Sequence, residues 1–242
     1  MTALAENLER VEEAIGRACR AAGRERGEVE LMAVSKTYPA ETIAEAAGLG
    51  LRLFGESRVQ EFSNKALHGE ELWTSAWREE MRVHLIGHLQ SNKAARAVEL
   101  FDAIDSVDSL KLAERLNEAA GKLGKRLPVL LEVKLSPEET KAGLEPDSAA
   151  ELLERLPDLE HLETRGLMTI APWGVAEDVT RACFRSLRAW RDRWAVAYPR
   201  LKLELLSMGM SGDFAVAIEE GATRIRLGTA LFGKRVPWTG EE

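Results

Sequence analysis

The stretch Val29-Glu-Leu-Met-Ala-Val-Ser-Lys36, followed at once by Thr37-Tyr38-Pro39, decides how the chain is read. Its apolar residues run nearly without interruption. That pattern suits a strand covered on both faces, as in a parallel sheet, better than a half-exposed strand with strict alternation. A strand over 29–35 would end in a turn at Thr37-Tyr38-Pro39, and Lys36 would stand where the strand stops.

Upstream, Leu4, Leu8, Val11, Ile15 and Ala18 recur at helical spacing, and Gly23 follows as a stop, so residues 2 to about 22 read as an amphipathic helix. Downstream the chain alternates. Strand-like runs fall at 51–55, 82–87, 101–106, 128–135, 162–169, 202–207 and 223–228. Helix-like segments between them begin near Pro39, Ser57, Gln90, Asp108, Asp147, Glu177 and Gly212. Pro39 suits a first helical position, and Ser57-Arg-Val-Gln60 has the form of a capping box. Leu112, Leu116 and Leu123 read as one apolar stripe. Eight strand–helix units after the first helix, with no linker or low-complexity tract, predict a single α/β domain over 1–242: one (β/α)8 TIM barrel with an extra N-terminal helix. A doubly wound open sheet is the competing fold and would need fewer strands or a second domain.

Composition narrows the function. The 242 residues are 45% hydrophobic and 30% charged, with a net charge of −7 and both signs interleaved. No basic face stands out, which argues against nucleic acid. The apolar stretches are strand-length, too short for a membrane span, and the N-terminus lacks the pattern of a signal peptide, so a cytoplasmic address is expected. Cys19 and Cys183 each fall in a helix-like segment and read as small buried or half-buried thiols. The four histidines (His68, His84, His88, His161) form no zinc-like constellation, so no metal is expected.

A parallel barrel places its chemistry at the carboxyl ends of its strands. Lys36 ends the first. A lysine in a partly apolar mouth loses its proton more readily, and the free amine can attack a carbonyl. The last two junctions, Ser207-Met-Gly209-Met-Ser-Gly212 and Arg226-Leu-Gly228-Thr-Ala230, are rich in small residues whose backbone N–H groups could approach a phosphate. A lysine plus a phosphate cradle suggests pyridoxal 5′-phosphate, with Arg226 facing the pyridine nitrogen. Each feature also has an ordinary reading: a solvated lysine, tight glycine turns, a strand-end salt bridge. A third possibility is an aldolase-type amine at Lys36 in a sugar-phosphate enzyme.

Several segments, in order along nearly the whole chain, resemble the pyridoxal phosphate homeostasis proteins, single-domain relatives of the barrel in bacterial alanine racemase. They are Ala33-Val-Ser-Lys36-Thr, Phe54-Gly-Glu56, Val59-Gln-Glu61, His84-Leu-Ile-Gly87, Leu89-Gln-Ser-Asn-Lys93, Lys141-Ala-Gly143, Arg165-Gly-Leu-Met168, Leu206-Ser-Met-Gly-Met-Ser211 and Ile225-Arg-Leu-Gly-Thr-Ala-Leu-Phe-Gly233. The resemblance implies a covalent aldimine at Lys36. It implies Ser207, Gly209, Gly228 and Thr229 around the phosphate and Arg226 near the ring nitrogen. His84 and Met168, at the third and sixth junctions, complete the expected cofactor-lining set. The chain departs from the family pattern at Ser57, Arg58, His88 and Lys134.

The expected role is storage or delivery of the cofactor, without a dedicated turnover reaction. The protein would be a monomer, with apo enzymes that use pyridoxal phosphate as recipients. The alternative is a weak amino-acid racemase or lyase with His84, His88 or Lys134 as the second base. Racemisation needs acid/base groups on both faces of the substrate, and the short tail after Gly233 has no room for the second domain that supplies one in racemases.

Overall fold

The structure is a computed structural model describing residues 2–68, 80–136 and 142–234. From the N-terminus, α1 (Ala3–Ala21) leads to β1 (Glu30–Val34), and strands then alternate with helices. These are α2 (Ala40–Gly48), β2 (Leu53–Glu56), α3 (Val59–His68), β3 (Arg82–Leu85), α4 (Ala94–Leu100), β4 (Ala103–Val107), α5 (Leu110–Lys122) and β5 (Leu127–Glu132). There follow α6 (Ala150–Arg155), β6 (Leu162–Met168), α7 (Glu177–Ala197), β7 (Leu205–Ser207), α8 (Phe214–Glu219), β8 (Arg224–Leu227) and α9 (Thr229–Phe232).

All eight strands are parallel and pair in sequence order, and β8 returns to β1 to close the barrel. The closing register sets Glu30 against Arg224 and Met32 against Arg226. Burial along most of β1 and β5 accounts for their apolar runs, while β2, β4 and β8 are buried along their whole length although they carry Glu56, Asp105, Arg224 and Arg226. Outward-facing side chains meet the helices. Inside the barrel, Met32, Val34, Leu53 and Ile86 form a separate apolar plug. Gly55 is part of that plug's fit, because a Cβ there would lie 2.8 Å from Met32 Sδ.

The extra helix has a structural task. Thr2 caps α1 by accepting from the Ala5 amide at 3.3 Å. The apolar face of α1, with Leu4, Val11, Ile15 and Ala18, packs toward α8 and α9, beside the seam between β8 and β1. Asn7 Nδ2 donates to the Leu231 carbonyl at 2.7 Å, and Arg24 Nη1 donates to the Ile218 and Ala222 carbonyls. The helix thus braces the last two βα junctions.

Element boundaries differ from the sequence expectations in a few places. β5 stops at Glu132, since Val133 makes only an isolated bridge to Leu144. β7 is confined to Leu205–Ser207. Pro39 is the N-cap of α2 rather than its first helical residue. α3 begins at Val59, so the Ser57–Gln60 box starts outside the helix. Leu123 caps α5 and is exposed, unlike Leu112 and Leu116, because the helix ends just before it. Cys19 and Cys183 are both buried. His68 closes α3, and Lys141 lies outside the described residues. No helix among the described residues is long and apolar enough to cross a membrane.

Candidate functional site

Lys36 follows β1 on a tightly determined turn and is half-buried. Ser35 Oγ donates to Glu56 Oε1 at 2.8 Å. Lys65, on α3, reaches the same carboxylate at 2.8 Å, Glu61 at 2.8 Å and the Ser35 carbonyl at 3.0 Å. Glu61 in turn accepts from the Thr37 amide. These contacts hold Thr37 at φ 69°, a left-handed conformation that a β-branched residue adopts only when its surroundings enforce it. Burial pushes the Glu56 carboxyl above its ordinary range, and Lys65 opposes that shift.

The other wall comes from β7 and β8. Arg226 is buried: Nη1 donates to Ser207 Oγ at 2.9 Å and Nη2 to the Thr169 carbonyl at 2.8 Å. Burial lowers its pKa, while Asp105, Glu132 and Asp213 favour its charged form. The Arg226 amide donates to the Gly209 carbonyl at 3.0 Å. Gly209 itself has φ +94°, and a Cβ there would lie 2.6 Å from that of Ala217. Only glycine lets the loop pass so close to α8 in this conformation. Asp213 Oδ1 accepts from the Met210 amide at 2.6 Å, and Ser211 Oγ accepts from the Ala230 amide at 3.2 Å, so the β7 and β8 loops are tied to each other. Gly228 lies against β1, where a Cβ would come 3.3 Å from the Val34 carbonyl. Thr229 is exposed at the start of α9, and Met168 is buried between Glu132 and Ser207 in register.

A cavity of about 190 Å³ lies at the ends of β3, β5 and β6, lined by Ile86, His88, Glu132, Lys134, Ser136 and Ile170 among others. Burial raises the Glu132 carboxyl to about 7, Arg226 pulling it down and Asp108 pushing it up. Lys134 pairs with Glu145 at 3.1 Å, and His88 with Asp108 at 3.1 Å. Ser57 is half-buried and Arg58 exposed.

His84 is not part of this mouth. It stands in mid-strand, its Nδ1 3.0 Å from Asp105 Oδ1, and Arg224 Nη1 donates to Asp105 Oδ2 at 3.0 Å. These side chains line a second cavity, whose other walls (Glu30, Arg82, Ala103) come from the amino ends of the strands. The period of two along β3 sends His84 inward, but one layer too low for the mouth.

Buried polar atoms without a hydrogen-bond partner point to the same end. Among the described residues they are Thr37 Oγ1, Glu56 Oε2 and Glu132 Oε2, from the carboxyl ends of β1, β2 and β5. Each such atom costs roughly 1–3 kcal/mol, and all three lie at the same end of the barrel. Ser35, Glu56, Glu61, Lys65 and Glu132 were not singled out for these roles from sequence. The signal was the charged residues ending or following otherwise apolar runs.

The family model for the alanine racemase N-terminal domain matches residues 2–236. A pyridoxal phosphate homeostasis protein of Aquifex aeolicus is 42% identical over 230 residues, covering 95% of this chain and 97% of its own. The protein of that name from Escherichia coli K12 is 39% identical over 240 residues, covering 97% and 98%. The chain belongs to the pyridoxal phosphate homeostasis protein family. Among solved structures, PipY of Synechococcus elongatus with pyridoxal phosphate bound has a TM-score of 0.83 at 43% identity, covering 95% of this chain and 100% of that one. The barrel is also shared with alanine racemase of Clostridium difficile, at 18% identity and a TM-score of 0.71, where the match covers 57% of that chain. The homeostasis family's barrel thus accounts for this chain along nearly its whole length.

Proposed function

We propose that this chain binds pyridoxal 5′-phosphate at the carboxyl-end mouth and acts as its carrier rather than as an enzyme with a dedicated reaction. Arg226 carries the reading: a buried guanidinium, fixed by Ser207 and Thr169, lies between the glycine-rich junctions and Glu132. The residues present suit the group. Lys36 would hold its aldehyde. Backbone at Gly209, Gly228 and Thr229 would meet its phosphate, with the Ser207 hydroxyl free to donate while it accepts from Arg226. Met168 would pack against it. When bound, pyridoxal phosphate supplies an electron sink, strongest with its ring nitrogen protonated. Arg226 opposes that protonation, because two cations would meet.

The names of the relatives and the cofactor in PipY support binding and homeostasis as the role. The carrier reading is supported by the neighbours of the mouth. His88 and Lys134 are each engaged by a carboxylate, and His84 lies in the amino-end layer. The protein would work in the cytoplasm as a single-domain monomer and hand the cofactor to apo enzymes. A weak racemase or lyase is the second reading, and Glu132 is the observation that favours it.

The discriminating experiment follows α-proton exchange of L-alanine and L-serine in deuterated water with the loaded protein. The carrier reading expects exchange far below about 1 s⁻¹. Exchange at or above that rate would establish an enzyme.

A further inference from the structure

Glu132 has a feature that cofactor binding by Lys36, Ser207 and Arg226 does not use. Its side chain is buried, lines the carboxyl-end cavity, and leaves Oε2 without a hydrogen-bond partner among the described residues. The other charged groups around it are already answered. Lys134, on the same segment, is held by Glu145; His88, after β3, is held by Asp108, after β4; and Arg226, from β8, donates to Ser207 and Thr169. The remaining walls include Ile86, Val133 and Ile170. A buried acceptor beside Ile86, Val133 and Ile170, with the neighbouring Lys134 and His88 already paired, calls for a donor with a small apolar body. A primary ammonium answers it best, since a charge-assisted bond to a carboxylate is about twice as strong as a neutral one.

We propose that this cavity is a binding site for the ammonium group of a primary amine, with Glu132 as the acceptor. The site gives the mouth an amine subsite beside the cofactor, and its role rests on the cofactor reading. Its existence does not, and the test is run without cofactor. Burial holds part of the Glu132 population protonated near neutrality, so amine binding should strengthen as pH rises through about 7. Asp108 works against ionisation and Arg226 for it.

The test uses cofactor-free Lys36→Ala protein, in which covalent attachment of the cofactor is not a factor, and n-propylamine hydrochloride as probe. Binding is read by saturation-transfer NMR and by the ¹³C shift of the Glu132 carboxyl. The expected result is a Glu132 shift on adding propylammonium at pH 8 and affinity weaker by roughly tenfold or more at pH 5.5. Adding Glu132→Gln should weaken binding at pH 8 by a similar factor and flatten the pH dependence. Absence of binding, equal binding in the Glu132→Gln protein, or affinity independent of pH would overturn the proposal. The cofactor reading fails by a different result: wild-type protein that forms no reducible adduct with pyridoxal phosphate.

Discussion

Arg226 Nη1 donates to Ser207 Oγ at 2.9 Å across the β7–β8 step of the barrel. The serine can still serve a second partner, since a hydroxyl can accept from the guanidinium and donate to an anion at the same time. Ser207→Ala leaves a buried guanidinium N–H unanswered. It should lower unfolding free energy by roughly 1–3 kcal/mol and loosen the cofactor. Urea unfolding of the cofactor-free protein measures the first effect. Unchanged stability would mean that Thr169 alone fixes Arg226.

The turn that presents Lys36 depends on Lys65. Replacing Lys65 by Met removes the cation between Glu56 and Glu61, both buried. Breaking a buried pair from one side costs roughly 3–5 kcal/mol. Burial already raises the Glu56 pKa against the pull of Lys65, and loss of Lys65 raises it further. A carboxyl with a raised folded-state pKa destabilises the fold as pH rises. The deficit of Lys65→Met against the parent should therefore be larger at pH 8 than at pH 5. Denaturant midpoints at the two pH values check this, and an equal deficit would contradict it.

The barrel was legible because strands such as β1 and β5 are buried along most of their length and so write themselves as apolar runs, as in Val29–Ser35 and Leu127–Val133. That Lys36, Ser207, Gly209 and Arg226 stand at or beside the carboxyl ends of strands was legible, because apolar runs mark where strands stop. His84 was misplaced because sequence shows that a residue points inward but not at which layer of the barrel. The Ser35–Glu56–Lys65–Glu61 network escaped notice because it joins β1, β2 and α3, and no fixed sequence spacing links those elements. The orphan oxygen of Glu132 is a property of packing, and its residue type reveals nothing of it.

Glu132 should make stability depend on pH in a sense opposite to an ordinary ion-paired acid. Its folded-state pKa is about 7 against an ordinary 4.5. The folded protein holds the proton more tightly than the unfolded chain between those values, so stability is lost as pH rises from about 4.5 to about 7. The loss is up to about 3 kcal/mol. Glu132→Gln should abolish this slope, leaving the variant more stable than the parent at pH 8 and similar near pH 4.5. Thermal unfolding across that range is the measurement. Parallel profiles for the two proteins would remove Glu132 as the titrating group.

The central claim is that the carboxyl-end mouth holds pyridoxal phosphate through Lys36. The most direct measurement loads the purified protein with pyridoxal phosphate, records its visible absorbance, reduces it with borohydride and maps the modified peptide. The account predicts a visible band, lost on reduction, with the adduct on Lys36, and neither band nor adduct in Lys36→Ala. An adduct on Lys134, or a protein that stays colourless, would contradict it.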